Sequence, residues 1–180
     1  MNETVFIVLF RGVGGATQLP TKPLREALGN AGFGNVATYI NSGNAVLSSD
    51  RGIKETAAEI AGICRKEFGF TKDIMLVARA DWAKLIKQNP FPQAVDKPTS
   101  LHAFVLDGAP KKDAIEALTA RAASHEHVVV KGKVLYFHAP EGFGISKLPP
   151  VIDRTLGVVS TARNWNTVRK LMELAEGVEV

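Results

Sequence analysis

A single cysteine, Cys64, stands among the 180 residues of the chain, which excludes an intramolecular disulfide framework and fits a reducing compartment. Long apolar runs are missing as well. The longest early one, Val5 to Phe10, is too short for a signal core or a membrane span, and no basic stretch precedes it. A soluble, cytoplasmic protein without a membrane partner is therefore expected. Charge of one sign is not in surplus either: 22 basic side chains face 18 acidic ones, a net charge of +4. Neither half carries a polybasic arm of the kind that dedicated nucleic-acid binders use.

What the chain does have is 46% hydrophobic residues, enough for a packed interior. Thr4 to Phe10 is uninterrupted and rich in strand formers, as a strand buried on both faces requires. Thr21-Lys22-Pro23 opens a helix that carries Leu24 and Leu28 on one side and stops around Gly29 to Gly32. Val36 to Ile40 and Ala45 to Ser49 flank Asn41-Ser42-Gly43-Asn44, which reads as a hairpin. Asp50 is the expected cap of a helix with the apolar stripe Ile53, Ala57, Ile60, Cys64 and Phe68. That stripe makes Cys64 a core residue rather than a nucleophile, since no cation on that face would lower its pKa. Ile74 to Arg79 reads as a strand, and Trp82, Leu85 and Ile86 mark a short helix.

Asn89 to Ser100 contains three prolines and reads as a linker. The plan then recurs: a strand at Leu101 to Asp107, a helix at Lys111 to Ala122, and a hairpin of Glu126 to Val130 with Val134 to His138. A helix at Ser146 to Leu156, a short strand at Val158 to Thr161 and a helix at Asn164 to Glu176 complete it. No residue-level repeat accompanies this repetition of structure. The expected fold class is α+β, two tandem ferredoxin-like βαββαβ-plus-helix subdomains, at residues 1–88 and 101–180 with the linker at 89–100.

In such a topology the loop after the first strand and the tip of the hairpin share one end of the sheet. Arg11, Gly14 and Gly15 then neighbour Ser42, Gly43 and Asn44. Glycine-rich backbone there can aim N–H groups at an anion, although the spacing matches neither the dinucleotide fingerprint nor a P-loop. Plain turn formation explains the same glycines. In the second half, Lys147 at a helix start and Arg163 beside Asn164 and Asn166 share one end. Asn164 is the natural cap of the last helix, on which Trp165 is a core anchor with Val168, Met172 and Ala175. A cation at a helix N-terminus is unfavourable, and an anion held between Lys147, Arg163 and the free N–H groups would offset that.

A competing constellation is the set of His125, His127 and His138. A two-residue turn at Lys131-Gly132 sets His125 against His138 and His127 against Tyr136, and the three imidazoles could hold zinc or nickel. The opposite face, with Val128, Val130, Leu135 and Phe137, has core composition. No resident cofactor or metal is expected. Base reading on the sheet needs exposed aromatics, which the third strand lacks.

Several fragments taken together carry a resemblance: Phe10-Arg-Gly-Val-Gly-Gly15, Leu19-Pro20 with Leu24-Arg25, Thr38-Tyr-Ile-Asn-Ser-Gly-Asn44, Asn89-Pro-Phe91, Ser146-Lys-Leu148 and Thr161-Ala-Arg-Asn-Trp-Asn-Thr167. In this order, across nearly the whole chain, they resemble the mainly bacterial family catalogued as domain of unknown function 1697. The resemblance implies a bacterial, cytoplasmic protein with two ferredoxin-like subdomains and supplies no activity. The chain departs from the family's usual Arg-Gly-Ile-Asn-Val-Gly-Gly by a loop two residues shorter, and has Asn41 where glutamine is usual.

The expected function is binding of a phosphate- or carboxylate-bearing small molecule in a cleft between the subdomains. Arg11, Lys147 and Arg163 would neutralise its charge, and Ser42, Asn44, Asn164 and Asn166 would orient it. No nucleophile–base pair or paired carboxylates can be assigned from spacing, so no reaction follows. The alternatives are a protein-interaction or self-association module, and a nucleic-acid binder using Lys111, Lys112, Lys131 and Lys133.

Overall fold

The computed structural model describes residues 2–40 and 43–180. The protein is mixed α+β, with two similar halves, each built on a four-stranded antiparallel sheet, and six α-helices among the described residues. The first half runs β1 (Thr4–Phe10), α1 (Thr21–Asn30), β2 (Gly34–Tyr39), β3 (Asn44–Ser49), α2 (Ile53–Phe68), β4 (Ile74–Ala78) and α3 (Arg79–Lys87). The second runs β5 (Leu101–Leu106), α4 (Lys112–Arg121), β6 (His127–Lys131), β7 (Val134–His138), α5 (Ile152–Leu156), β8 (Ser160–Asn164) and α6 (Trp165–Glu176). Strand orders are β2-β3-β1-β4 and β6-β7-β5-β8.

Each half packs two of its helices, α1 with α2 and α4 with α5, on one face of its sheet. Phe6, Val8 and Phe10 of β1 and Ala45 and Leu47 of β3 meet Leu24 and Leu28 of α1 and Ile60 and Cys64 of α2. Phe104, Leu106, Leu135 and Phe137 meet Leu118 of α4 and Ile152 and Leu156 of α5 in the same way. The alternate residues Val5, Ile7 and Leu9 of β1, and Leu101, Ala103 and Val105 of β5, are buried too. That two-sided burial is why both strands read as unbroken apolar runs. Cys64 lies inside the first core, where burial pushes its thiol up to about 12, so it is inert packing material.

Three boundaries differ from the sequence expectation. α2 begins at Ile53 behind Gly52, not behind an Asp50 cap, and Ile53 itself is exposed. The expected helix at 146–156 is a 3-10 turn, Pro149–Val151, followed by the five-residue α5. Two consecutive prolines supply no N–H groups, so the hydrogen bonds that would open a helix at Ser146 cannot form. The eighth strand runs to Asn164, past its expected end at Thr161, which places Arg163 in the sheet opposite Ala103 rather than in a turn before the last helix.

The chain divides into two compact units, residues through Lys84 together with Lys170–Val180, and Leu85–Arg169. The expected linker belongs to the second unit. Its prolines open 3-10 turns at Pro92–Asp96 and Pro98–Ser100, and Phe91, Ala94 and Ser100 are buried. The last residues belong to the first unit, where Arg79 holds them: its Nη1 donates to the carbonyls of Ala175 at 3.1 Å and Val178 at 2.9 Å. A guanidinium at a helix C-terminus satisfies carbonyls that the helix leaves open and complements its dipole. Arg79→Ala is expected to cost about 1–2 kcal/mol of stability in urea denaturation and to speed amide exchange around residues 174–178. Unchanged exchange there would mean that the contact contributes nothing.

Candidate functional site

The end of β1 brings together what the sequence set 30 residues apart. Leu9 is paired with Asn44, and Tyr39 is also paired with Asn44, so the hairpin tip lies beside the turn that leaves β1. The Phe10 N–H donates to the Gly43 carbonyl at 2.9 Å. Gly43 has φ +77, and a Cβ on it would stand 2.6 Å from Val13 Cγ2, 2.9 Å from Phe10 Cβ and 3.0 Å from the Phe10 carbonyl oxygen. Only glycine fits both the conformation and the approach. Ser42 lies outside the described residues.

The loop from Arg11 closes on itself before α1. Gly14 and Thr17 exchange backbone hydrogen bonds of 2.7 and 3.0 Å, and Gln18 Nε2 donates to the Gly15 carbonyl at 2.6 Å. Gly14 and Gly15 have φ +137 and +56, with open space where a side chain would start. The backbone N–H groups of Gly12, Val13, Gly15 and Ala16 have no acceptor among the described residues. Asn44, by contrast, is buried, and its Nδ2 donates to the Tyr39 carbonyl at 3.3 Å. Its part is to hold the hairpin, and it presents no exposed amide.

Two cations stand at this loop. Arg11 extends past β1 with its N–H on the Asp73 carbonyl, and its guanidinium is 3.8 Å from the Asp73 carboxylate. Lys72 was missed in the sequence. Its Nζ donates to the Gly12 carbonyl at 3.4 Å, and its side chain lies so close that a Cβ on Gly12 would be 2.9 Å from Lys72 Cδ. The signal was available: β4 runs antiparallel to β1, so whatever precedes Ile74 lies beside whatever follows Phe10.

In the second unit the predicted residues are placed differently. Lys147 is exposed, in the loop before the 3-10 turn, and has no ion pair among the described residues. Without a helix beginning at Ser146, it faces no helix dipole. Ser146 is engaged in its own loop, its Oγ donating to Glu126 Oε2 and accepting from the Leu148 N–H. Arg163 folds back along β8: Nη1 donates to Thr161 Oγ1 at 2.8 Å and to the Ala162 carbonyl at 2.7 Å. Burial pushes its pKa down to about 10, which leaves it charged at neutral pH. Asn164 does cap α6, accepting from the Thr167 N–H at 3.1 Å, and Asn166 is exposed in the first turn.

The register of the histidine hairpin differs from the one the competing constellation assumed. Gly132 takes φ +60, the conformation of the first central residue of a tight hairpin turn, so the turn is Gly132-Lys133 and Lys131 pairs with Val134. The register therefore sets His127 against His138, while His125 Nε2 stands 3.4 Å from a Glu141 carboxylate oxygen. Among the described residues no group of three or more metal-ligating side chains forms. The lysine cluster is partly committed: Lys112 is 3.9 Å from Glu116, and Lys131 donates to the Gln88 carbonyl. No helix among the described residues is long and apolar enough to cross a membrane.

The sequence pattern of the family described as "Protein of unknown function (DUF1697)" matches residues 3–136. Among solved structures, a conserved bacterial protein, SP0830 from Streptococcus pneumoniae, is similar with a TM-score of 0.75. It shares 20% identity over 97% of this chain and 99% of its own, a likeness in fold. None of the curated proteins matches the chain.

His102, which drew no attention in the sequence, is the most perturbed imidazole. It is 9% exposed and stacked on Phe143 with ring centroids 3.7 Å apart, and its Nδ1 has no partner among the described residues. Burial holds its pKa down to about 4, against 6.5 for a free histidine. Between those values the unfolded chain binds the extra proton, so stability falls as pH drops through that window. The loss is about 3 kcal/mol in full. His102→Phe should remove this component, closing the stability gap to the native protein by an amount of that order between pH 7.5 and pH 4. Parallel pH profiles in urea denaturation would contradict it.

Proposed function

Since the chain belongs to the DUF1697 family, whose description assigns no activity, the reading has to come from its own residues, and we propose that the protein binds an anionic small molecule at the end of β1. The observation that carries this is the seating of the Lys72 ammonium on the Gly12 turn, next to Arg11 and to N–H groups with no acceptor among the described residues. Backbone donors of one short loop, with a cation on it and a second reaching it from the segment before β4, favour a phosphate or a carboxylate together. Gly14 and Gly15 leave space for a guest, Gly43 seats the hairpin beside them, and Ser42 belongs to the same proposed group. Asp73 competes for Arg11, so the guest would share that guanidinium or displace the carboxylate.

Lys147, Arg163, Asn164 and Asn166 form a second, weaker candidate group in the other unit. Arg163 and Asn164 already hold internal partners, which limits what they can offer. The same reading includes two ferredoxin-like subdomains, supported by the recurrence of the order 2-3-1-4 in both sheets. A cytoplasmic setting is supported by the single buried thiol.

A thermal-shift titration tests the anion site. Phosphate or sulfate at equal ionic strength should raise the melting temperature above that in chloride, because a ligand bound only to the folded state stabilises it. Lys72→Ala should weaken the response about ten-fold in concentration, the equivalent of one charge-assisted contact. Identical melting in phosphate, sulfate and chloride would sink the proposal.

A further inference from the structure

The hairpin beside this loop contains a residue that is unfavourable twice over. Two described non-glycine residues have positive φ, Asn35 at +51 and Ile40 at +44. Asparagine tolerates the left-handed region, and Asn35 Nδ2 is hydrogen-bonded to Ser48 Oγ at 3.3 Å. Isoleucine does not tolerate it, because its branched side chain crowds the backbone there. Ile40 is also 51% exposed, one of four large apolar side chains that stand out on the described surface. Neither strain nor burial accounts for an isoleucine at this position, where asparagine or glycine would fit the backbone better.

Its place is fixed by the sheet. Tyr39, Asn44, Leu9 and Met75 stand in one row across β2, β3, β1 and β4. Ile40 follows Tyr39 at the end of that row, and Arg11 and Lys72 flank the same end on β1 and β4. Two strand spacings, about 10 Å, separate the isoleucine's strand from that of the arginine. The hairpin cannot relax readily, since Asn44 holds the Tyr39 carbonyl and Phe10 holds Gly43.

We propose that Ile40 is the apolar half of the ligand site, and that the natural ligand is an anion joined to an apolar or aromatic body about 10 Å long. The anionic group lies at Arg11, Lys72 and the glycine loop, and the body covers Ile40. This rests on the anion reading above and adds to it the class of molecule. The strain and exposure of Ile40 are then tolerated because the contact they create is made in the complex.

Calorimetric titration with inorganic phosphate and with biphenyl-4-yl phosphate, whose far ring reaches about 10 Å from the phosphorus, separates the two ideas. The native protein should bind biphenylyl phosphate about ten-fold more tightly than phosphate. Ile40→Asn should keep the phosphate affinity, abolish the preference for the biphenylyl ester and melt at a higher temperature than the native protein without ligand. Ile40→Gly serves as a second variant with the same expected loss of preference. Equal affinity of the native protein for the two ligands, or a preference that survives in both variants, would overturn the inference while leaving the anion site standing. No binding of phosphate at all would remove both.

Discussion

The contact on which the candidate site depends is a backbone one. The Phe10 N–H meets the Gly43 carbonyl because the glycine has no side chain to hold the strands apart. With it, the hairpin tip, the glycine loop and the residues before β4 share one end of a sheet whose interior is fully packed. A methyl group at that position would have to enter space occupied by Val13 and by the Phe10 backbone, in a conformation that side chains avoid. The site is thus set by the absence of atoms at one residue as much as by the charges around it.

Two arginines of this chain are placed where backbone and hydroxyl oxygens receive their charge. Arg79 lies at the negative end of a helix and takes up its last carbonyls. Arg163 precedes the positive end of the same helix, an unfavourable address, but its guanidinium turns back to Thr161 and Ala162. Burial shifts both Arg163 and His102 toward their neutral forms, and only the histidine is moved across a range of pH that cells and assays reach. Lys72 differs from these because it stays exposed and its one acceptor among the described residues is a carbonyl of the glycine loop.

Periodicity made the strands and helices legible because two-sided burial writes unbroken apolar runs and one-sided burial writes stripes. Leu24 with Leu28 and Ile60 with Cys64 are where the pattern put them. The same logic failed at Pro149 and Pro150, where backbone chemistry overrode an apolar pattern. It failed again at Gly132, where the turn type decided the histidine register. In the candidate site, the meeting of Arg11 to Gly15 with Gly43 followed from topology alone. Lys72 and Ile40 did not stand out, since neither a surface lysine nor an isoleucine at a strand end departs from its type until backbone angles and distances are known. His102 was hidden for a related reason: burial and stacking are properties of its neighbours Phe137, Phe143 and Phe104, not of its own position in the chain.

Amide hydrogen exchange at Phe10 in a Gly43→Ala protein is the most direct test of how this end is held together. Protection of that single amide should fall by at least about ten-fold relative to amides elsewhere in β1, while Gly15→Ala, in open space, leaves it unchanged. If the alanine at 43 leaves the Phe10 amide as protected as before, the hairpin tip is not seated there by the missing side chain, and the site built upon that seating has no foundation.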